Sequence, residues 1–189
     1  MGLLQGISRL IDALNDGIGR LVYWLVLAAV LVSSGNAIVR YALDTSSNAW
    51  LELQWYLYAA VFLLSAGYTL LRNEHVRIDL VTGRLSPRGQ AWVDLLGGAL
   101  FLLPLALLIL WLSWPMFMES FSRGEVSSDA GGLIRWPVKL LIPAGFALLA
   151  LQGLSECIKR AAFLCGRGPD PNEKPDSEHG AQPPLTDPA

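Results

Sequence analysis

Charge is scarce in this chain of 189 residues. Only 16% of its positions are Asp, Glu, Lys or Arg, against roughly 25% in an ordinary soluble domain, while 53% are hydrophobic. The formal net charge of −2 leaves no broad basic field, so nucleic-acid binding has nothing to start from. Cysteine and histidine are equally sparse, at two each. Cys157 and Cys165 are about 12 Å apart along a helix, too far for a disulfide. His75 and His179 lack the neighbours that a metal site needs. No HExxH, phosphate-binding glycine loop, Ser-His-Asp set or pair of intramembrane carboxylates occurs. These absences argue against an enzyme and give no place for a cofactor.

What the chain has instead is long apolar runs, reflected in a mean hydropathy of +0.43. Leu21 to Val39 and Leu53 to Leu71 are 19 residues each without a formal charge, Leu95 to Met118 is 24, and Leu140 to Ser155 is 16. At a rise of about 1.5 Å per residue, 19 residues cover about 28 Å, close to the hydrocarbon thickness of a bilayer. Trp136, Pro137 and Val138 lengthen the fourth run, with Lys139 snorkelling to the surface. Unpaired backbone cannot face lipid, so each run is expected to be a helix. The expected fold is therefore an all-α integral membrane protein with four transmembrane helices, at about 21–39, 53–71, 95–118 and 137–157 within a membrane domain of residues 21–158.

Counting Lys and Arg sets the expected orientation. Residues 1–20, 72–94 and 156–189 carry ten between them, whereas the two remaining loops carry four: Arg40, Arg123, Arg135 and Lys139. By the positive-inside rule both termini are cytoplasmic. Within residues 1–20, Leu3, Ile7, Leu10, Leu14 and Ile18 recur at steps of three and four and lead to Leu21, with Arg9, Asp12, Asn15 and Asp16 off that stripe. This reads as an amphipathic N-terminal helix lying on the inner surface, or as an extension of the first span. Residues 159–189 are expected to form a disordered cytoplasmic tail, rich in Pro, Gly and acids from Gly166 onward.

Independent transport by this chain would call for ionisable groups at membrane depth, and the centres of the four runs have none. Glu52 sits at the outer mouth of the second span. Ser33, Ser34 and Asn36 read as polar helix-packing residues. What remains is a small helical membrane subunit, with a stand-alone four-helix channel or a signalling or scaffold protein as the alternative.

Two segments say more. Trp50-Leu-Glu-Leu-Gln-Trp55 opens the second span, and Arg72-Asn-Glu-His-Val-Arg-Ile-Asp79 follows its far end, with Gly67 between them. Asn36 and Arg40 close the first span, and Ser127-Ser-Asp-Ala-Gly-Gly-Leu-Ile-Arg-Trp-Pro-Val-Lys139 precedes Pro143-Ala-Gly-Phe146. In order and spacing, over roughly residues 8 to 160, these resemble the small membrane subunit (DctQ-type) of tripartite ATP-independent periplasmic (TRAP) transporters. The resemblance implies a place in the bacterial inner membrane beside a large DctM-type subunit that carries the substrate and sodium sites and moves as an elevator. It also implies a periplasmic solute-binding protein that delivers an organic acid or related solute. The small subunit would then brace the large one and carry no cofactor of its own.

The residues that carry the resemblance are the candidate partner contacts: Asn36, Arg40, Glu52, Trp55, Arg72, His75, Arg77, Asp79, Arg135 and Trp136. Glu52 can pair with Arg40, with a basic group of a partner, or simply start its helix where the dipole favours an acid. Arg135 and Trp136 can meet the binding protein or anchor the fourth helix at the interface. His75 and Asp79 share a face if their segment is helical. Arg72 and Arg77 also serve the positive-inside count.

Overall fold

The computed structural model describes residues 2–45, 47–73, 85–166 and 168. Four helices account for most of them. Helix α1 is Gly2–Leu43 and α2 is Asn48–Leu71. Helix α3 runs over Pro87–Arg123 and α4 over Trp136–Leu164. By length and composition α1, α3 and α4 are apolar enough to cross a membrane. Helix α2 is also long enough, at 24 residues, but Glu52, Gln54 and three tyrosines lower its apolarity.

Residues 2–20 are not a separate element. They continue into the first apolar run without a break, so the extension is the form found. The face turned into the protein is also not the apolar stripe: Ser8, Ile11 and Asn15 are buried, while Ile7, Leu10 and Leu14 are exposed. Asp12 and Asn15 find hydrogen-bonding partners on α4, and burying polar groups that are partnered there costs little. At the other terminus α4 extends to Leu164, past the boundary expected at 158, because Lys159 and Arg160 are tied into ion pairs. The rest of the expected tail, at 167 and 169–189, lies outside the described residues.

Helix α3 contains one widened turn. Gly98–Leu102 is π-helical, and the Leu103 amide bonds to the Gly98 carbonyl five residues back. Pro104 has no N–H to give to Leu100, and its ring crowds that carbonyl, so the turn before it loosens. Gly124 ends the helix in the left-handed region, at φ 58°, which a glycine adopts without strain.

Helix α4 is the hub, packed against each of the others, while α1 and α2 form an antiparallel hairpin on one side of it. Small residues set the spacing. A Cβ on Gly145 would sit 2.6 Å from the Leu63 carbonyl of α2, and one on Gly67 would sit 2.2 Å from the Asn15 side-chain oxygen of α1. Apolar side chains gain nothing from meeting each other inside lipid, so close backbone approach and polar contacts must hold such helices together.

Candidate functional site

Polar residues gather at the two ends of the bundle, and of the candidate contacts Glu52, Arg135 and Arg72 fall into these groups. At the end where α2 begins, residues 124–135 fold back on themselves. Val126 and Ile134 bridge antiparallel, the Ser127 amide donates to Leu133 O at 2.9 Å, and the Arg135 amide donates to Glu125 O at 2.8 Å. Glu52 ties this loop to α2. It is buried and accepts from the Leu133 amide at 2.6 Å and from the Ser127 hydroxyl. Arg135 donates to that same hydroxyl at 3.2 Å, bringing Glu52 and Arg135 onto one bridging serine. Tyr56 and Asn48 of α2 add bonds to the Ile134 and Ala130 carbonyls at 3.2 and 3.1 Å.

Glu52 therefore takes its partners from the loop and not from Arg40, which is exposed in the last turn of α1. Asn36 lines a cavity of about 360 Å³ between the α1 end and Trp50. Trp55 is exposed and stands edge-on to Tyr56, with centroids 4.4 Å apart. Trp136 meets Phe121 edge-on at 5.4 Å, joining the start of α4 to the end of α3. Nearby, Lys139 pairs with Glu125 and holds its carboxyl below the ordinary carboxylate range.

The opposite end carries a belt of charge. Arg72 pairs with Asp16 at 2.5 Å and lies over the Tyr68 ring. Lys159 of α4 bonds Asp12 of α1 and its own Glu156, each at 2.8 Å. Arg160, nearly buried, joins Glu156 to Asp94 of α3 at 3.1 Å. One layer deeper, Gln152 accepts from Asn15 at 3.0 Å and donates to Asp12 at 2.9 Å, while Ser155 meets Ser8 at 2.6 Å. His75, Arg77 and Asp79 lie outside the described residues.

Sequence reasoning missed this second cluster by assigning Asp12, Asn15 and Asp16 to water. A signal was present. Gln152, Ser155, Glu156, Lys159 and Arg160 follow the i, i+3, i+4, i+7, i+8 rule of one helix face, and Ser8, Asp12 and Asn15 follow it on α1. Two polar stripes on apolar helices find their lowest energy facing each other.

Among the described residues no group of three or more His, Cys, Asp or Glu is placed to hold a metal ion. The arrangement joins helices and pins a loop. Against known families, residues 29–163, more than two thirds of the chain, match the model described as Tripartite ATP-independent periplasmic transporters, DctQ component. The chain belongs to the DctQ family. It is thus the small membrane subunit of a TRAP transporter, in a family of transporter components and not of enzymes. The match takes in both partners of the Glu52 loop and the α4 half of the charged cluster, whereas the α1 half precedes it. Comparison with curated proteins gives no match, and neither does comparison with solved structures.

Proposed function

We propose that this DctQ chain braces a large DctM-type subunit in the bacterial inner membrane, for sodium-driven uptake of an organic acid or related solute handed over by a periplasmic binding protein. The family match over residues 29–163 carries the reading. In this account α2 spans the membrane with α1, α3 and α4. The charge belt then lies at the cytoplasmic surface with both termini, as ten basic residues against four favour. The Glu52 loop faces the periplasm. The turn with His75, Arg77 and Asp79 meets the large subunit from the cytoplasm.

The geometry supports a brace more than a carrier. Gln152 of α4 is bonded to Asn15 and Asp12 of α1, and α4, which would have to move in a carrier, is held by every other helix. Coupling to sodium would then belong to the large subunit. Vesicles holding the large subunit and this chain, with binding protein outside and an inward sodium gradient, test the proposal. Uptake should be lost when this chain is left out, and the purified chain alone should bind no solute that the whole system imports. Undiminished uptake without it, or saturable binding to it alone, would overturn the accessory role.

A further inference from the structure

The loop at residues 124–135 keeps its shape with bonds in which Glu52 takes no part. Within it the Ser127 amide donates to Leu133 O, the Gly132 amide to Asp129 O at 3.0 Å and the Arg135 amide to Glu125 O. Asn48 and Tyr56 of α2 fasten it through the Ala130 and Ile134 carbonyls. None of these bonds is lost when the Glu52 side chain is taken away.

This framework leaves two donors aimed at one place. The Ser127 hydroxyl oxygen accepts from the Asp129 amide at 3.3 Å and from the Arg135 guanidinium at 3.2 Å. With both lone pairs engaged it has only its proton to offer, and that proton goes to one Glu52 oxygen. The Leu133 amide donates to the other oxygen at 2.6 Å. Two donors set for two oxygens, one of them polarised by a guanidinium, suit the plane and the charge of a carboxylate. Gly132 clears the space, since a Cβ there would lie 3.0 Å from Glu52 Oε1 and nearer still to Ser127. Emptied, the cradle would leave both donors unpaired in a part-buried setting, so it favours an acceptor of matching shape.

We propose that residues 127–135 form a carboxylate-binding site, that Glu52 fills it as a tethered ligand, and that a small free carboxylate takes its place once that side chain is removed. In the parent chain the tether holds Glu52 at an effective concentration far above that of any free acid, which closes the site to solution. The site belongs to this chain alone and does not depend on a large subunit.

Glu52→Ala cuts the side chain at Cβ, and the fragment deleted has the size and charge of acetate. The purified full chain, lacking Cys157 and Cys165 and carrying a cysteine at Ser128, reports the order of the loop by its alkylation rate. Glu52→Ala should raise that rate several-fold, and acetate at about 10–100 mM should bring it at least halfway back. Chloride at equal ionic strength should do nothing, and neither should acetamide, which has the shape of acetate but one acceptor oxygen and no charge. The parent should not respond to acetate. Adding Ser127→Ala to Glu52→Ala removes one of the two donors and should abolish the rescue. Saturation-transfer NMR on the acetate methyl reads binding directly and should show it for Glu52→Ala but not for the parent or the double variant. Refolding yield with and without acetate carries the comparison over to a variant that folds poorly. No effect of acetate in any of these assays, rescue by acetamide as strong as by acetate, or rescue that survives Ser127→Ala would overturn the proposal.

Discussion

Leucine in place of Gln152 keeps most of the side-chain volume and deletes its polar end. Gln152 is fully buried and makes three bonds: it accepts from Asn15 at 3.0 Å and donates to Asp12 at 2.9 Å and Glu156 at 3.3 Å. After the change the Asn15 amide keeps only a 3.3 Å bond back to the Ile11 carbonyl. Asp12 is better protected, since Ser155 at 2.8 Å and Lys159 still compensate its charge. A hydrogen bond between membrane helices averages about 0.6 kcal/mol, and a buried amide left unpaired adds about 1–3 kcal/mol, so Gln152→Leu should destabilise by about 2–3 kcal/mol. Asn15→Ala removes the same bond from the other side. The double variant should then cost about 1 kcal/mol less than the sum of the singles. Unfolding of the purified chain in mixed micelles, followed by the fluorescence of its seven tryptophans, measures all three. Strict additivity, or a neutral Gln152→Leu, would refute the claim that these stripes hold α1 to α4.

The small residues and the loop give further tests. Gly145→Ala forces a methyl to within 2.6 Å of the Leu63 carbonyl and should cost about 1–3 kcal/mol in the same unfolding assay, because backbone cannot step aside. An unchanged midpoint would mean that α2 and α4 are less tightly apposed than described. Glu52→Gln keeps the shape but has one acceptor oxygen for two donors, so a cysteine at Ser128 should be alkylated several-fold faster than in the parent. Equal rates would remove Glu52 as the tie. The Glu125 carboxyl is held below its ordinary value of 4.5, chiefly by the hydrogen bond from Lys139, so its contribution is present above that pH and lost as pH falls through the lowered value. Protection of the Ser127 and Arg135 amides, corrected for intrinsic exchange, should therefore be flat from pH 5 to 8 and fall below 4.5, and Glu125→Gln should lessen that fall, leaving the part that belongs to Glu52, whose carboxyl the Ser127 and Leu133 hydrogen bonds also hold low. For orientation, cysteines at Ser47 and Ser128, in a chain lacking Cys157 and Cys165, should react with an impermeant reagent outside intact cells while one at Ser86 should not; labelling at 86 would reverse the topology.

The helices were legible because their apolar runs are free of charge and ended by it. The family was legible too, from the segments around Glu52, Gly67, Arg135 and Pro143 taken in their order, all of which fall within the matched residues 29–163. What sequence reasoning got wrong depends on facing. Arg9, Asp12, Asn15 and Asp16 look like the wet side of an amphipathic helix, and only the matching stripe on α4, some 140 residues away, turns Asp12 and Asn15 inward. The Glu52 partners were hidden for the same reason. Ser127 and Leu133 lie 75 and 81 positions along the chain, whereas Arg40 is near in sequence and is not a partner. The π-turn left only the pair Gly97-Gly98 and Pro104 as hints, and neither alone dictates a widened turn.

The central claim is that this chain exists as one half of a membrane complex and not by itself. The most direct test is affinity purification of the tagged chain from membranes in which its large subunit is expressed at native level, followed by the mass of the intact particle. The account predicts one species containing the chain and a much larger multi-span subunit in fixed ratio. A particle holding only copies of this chain would contradict it.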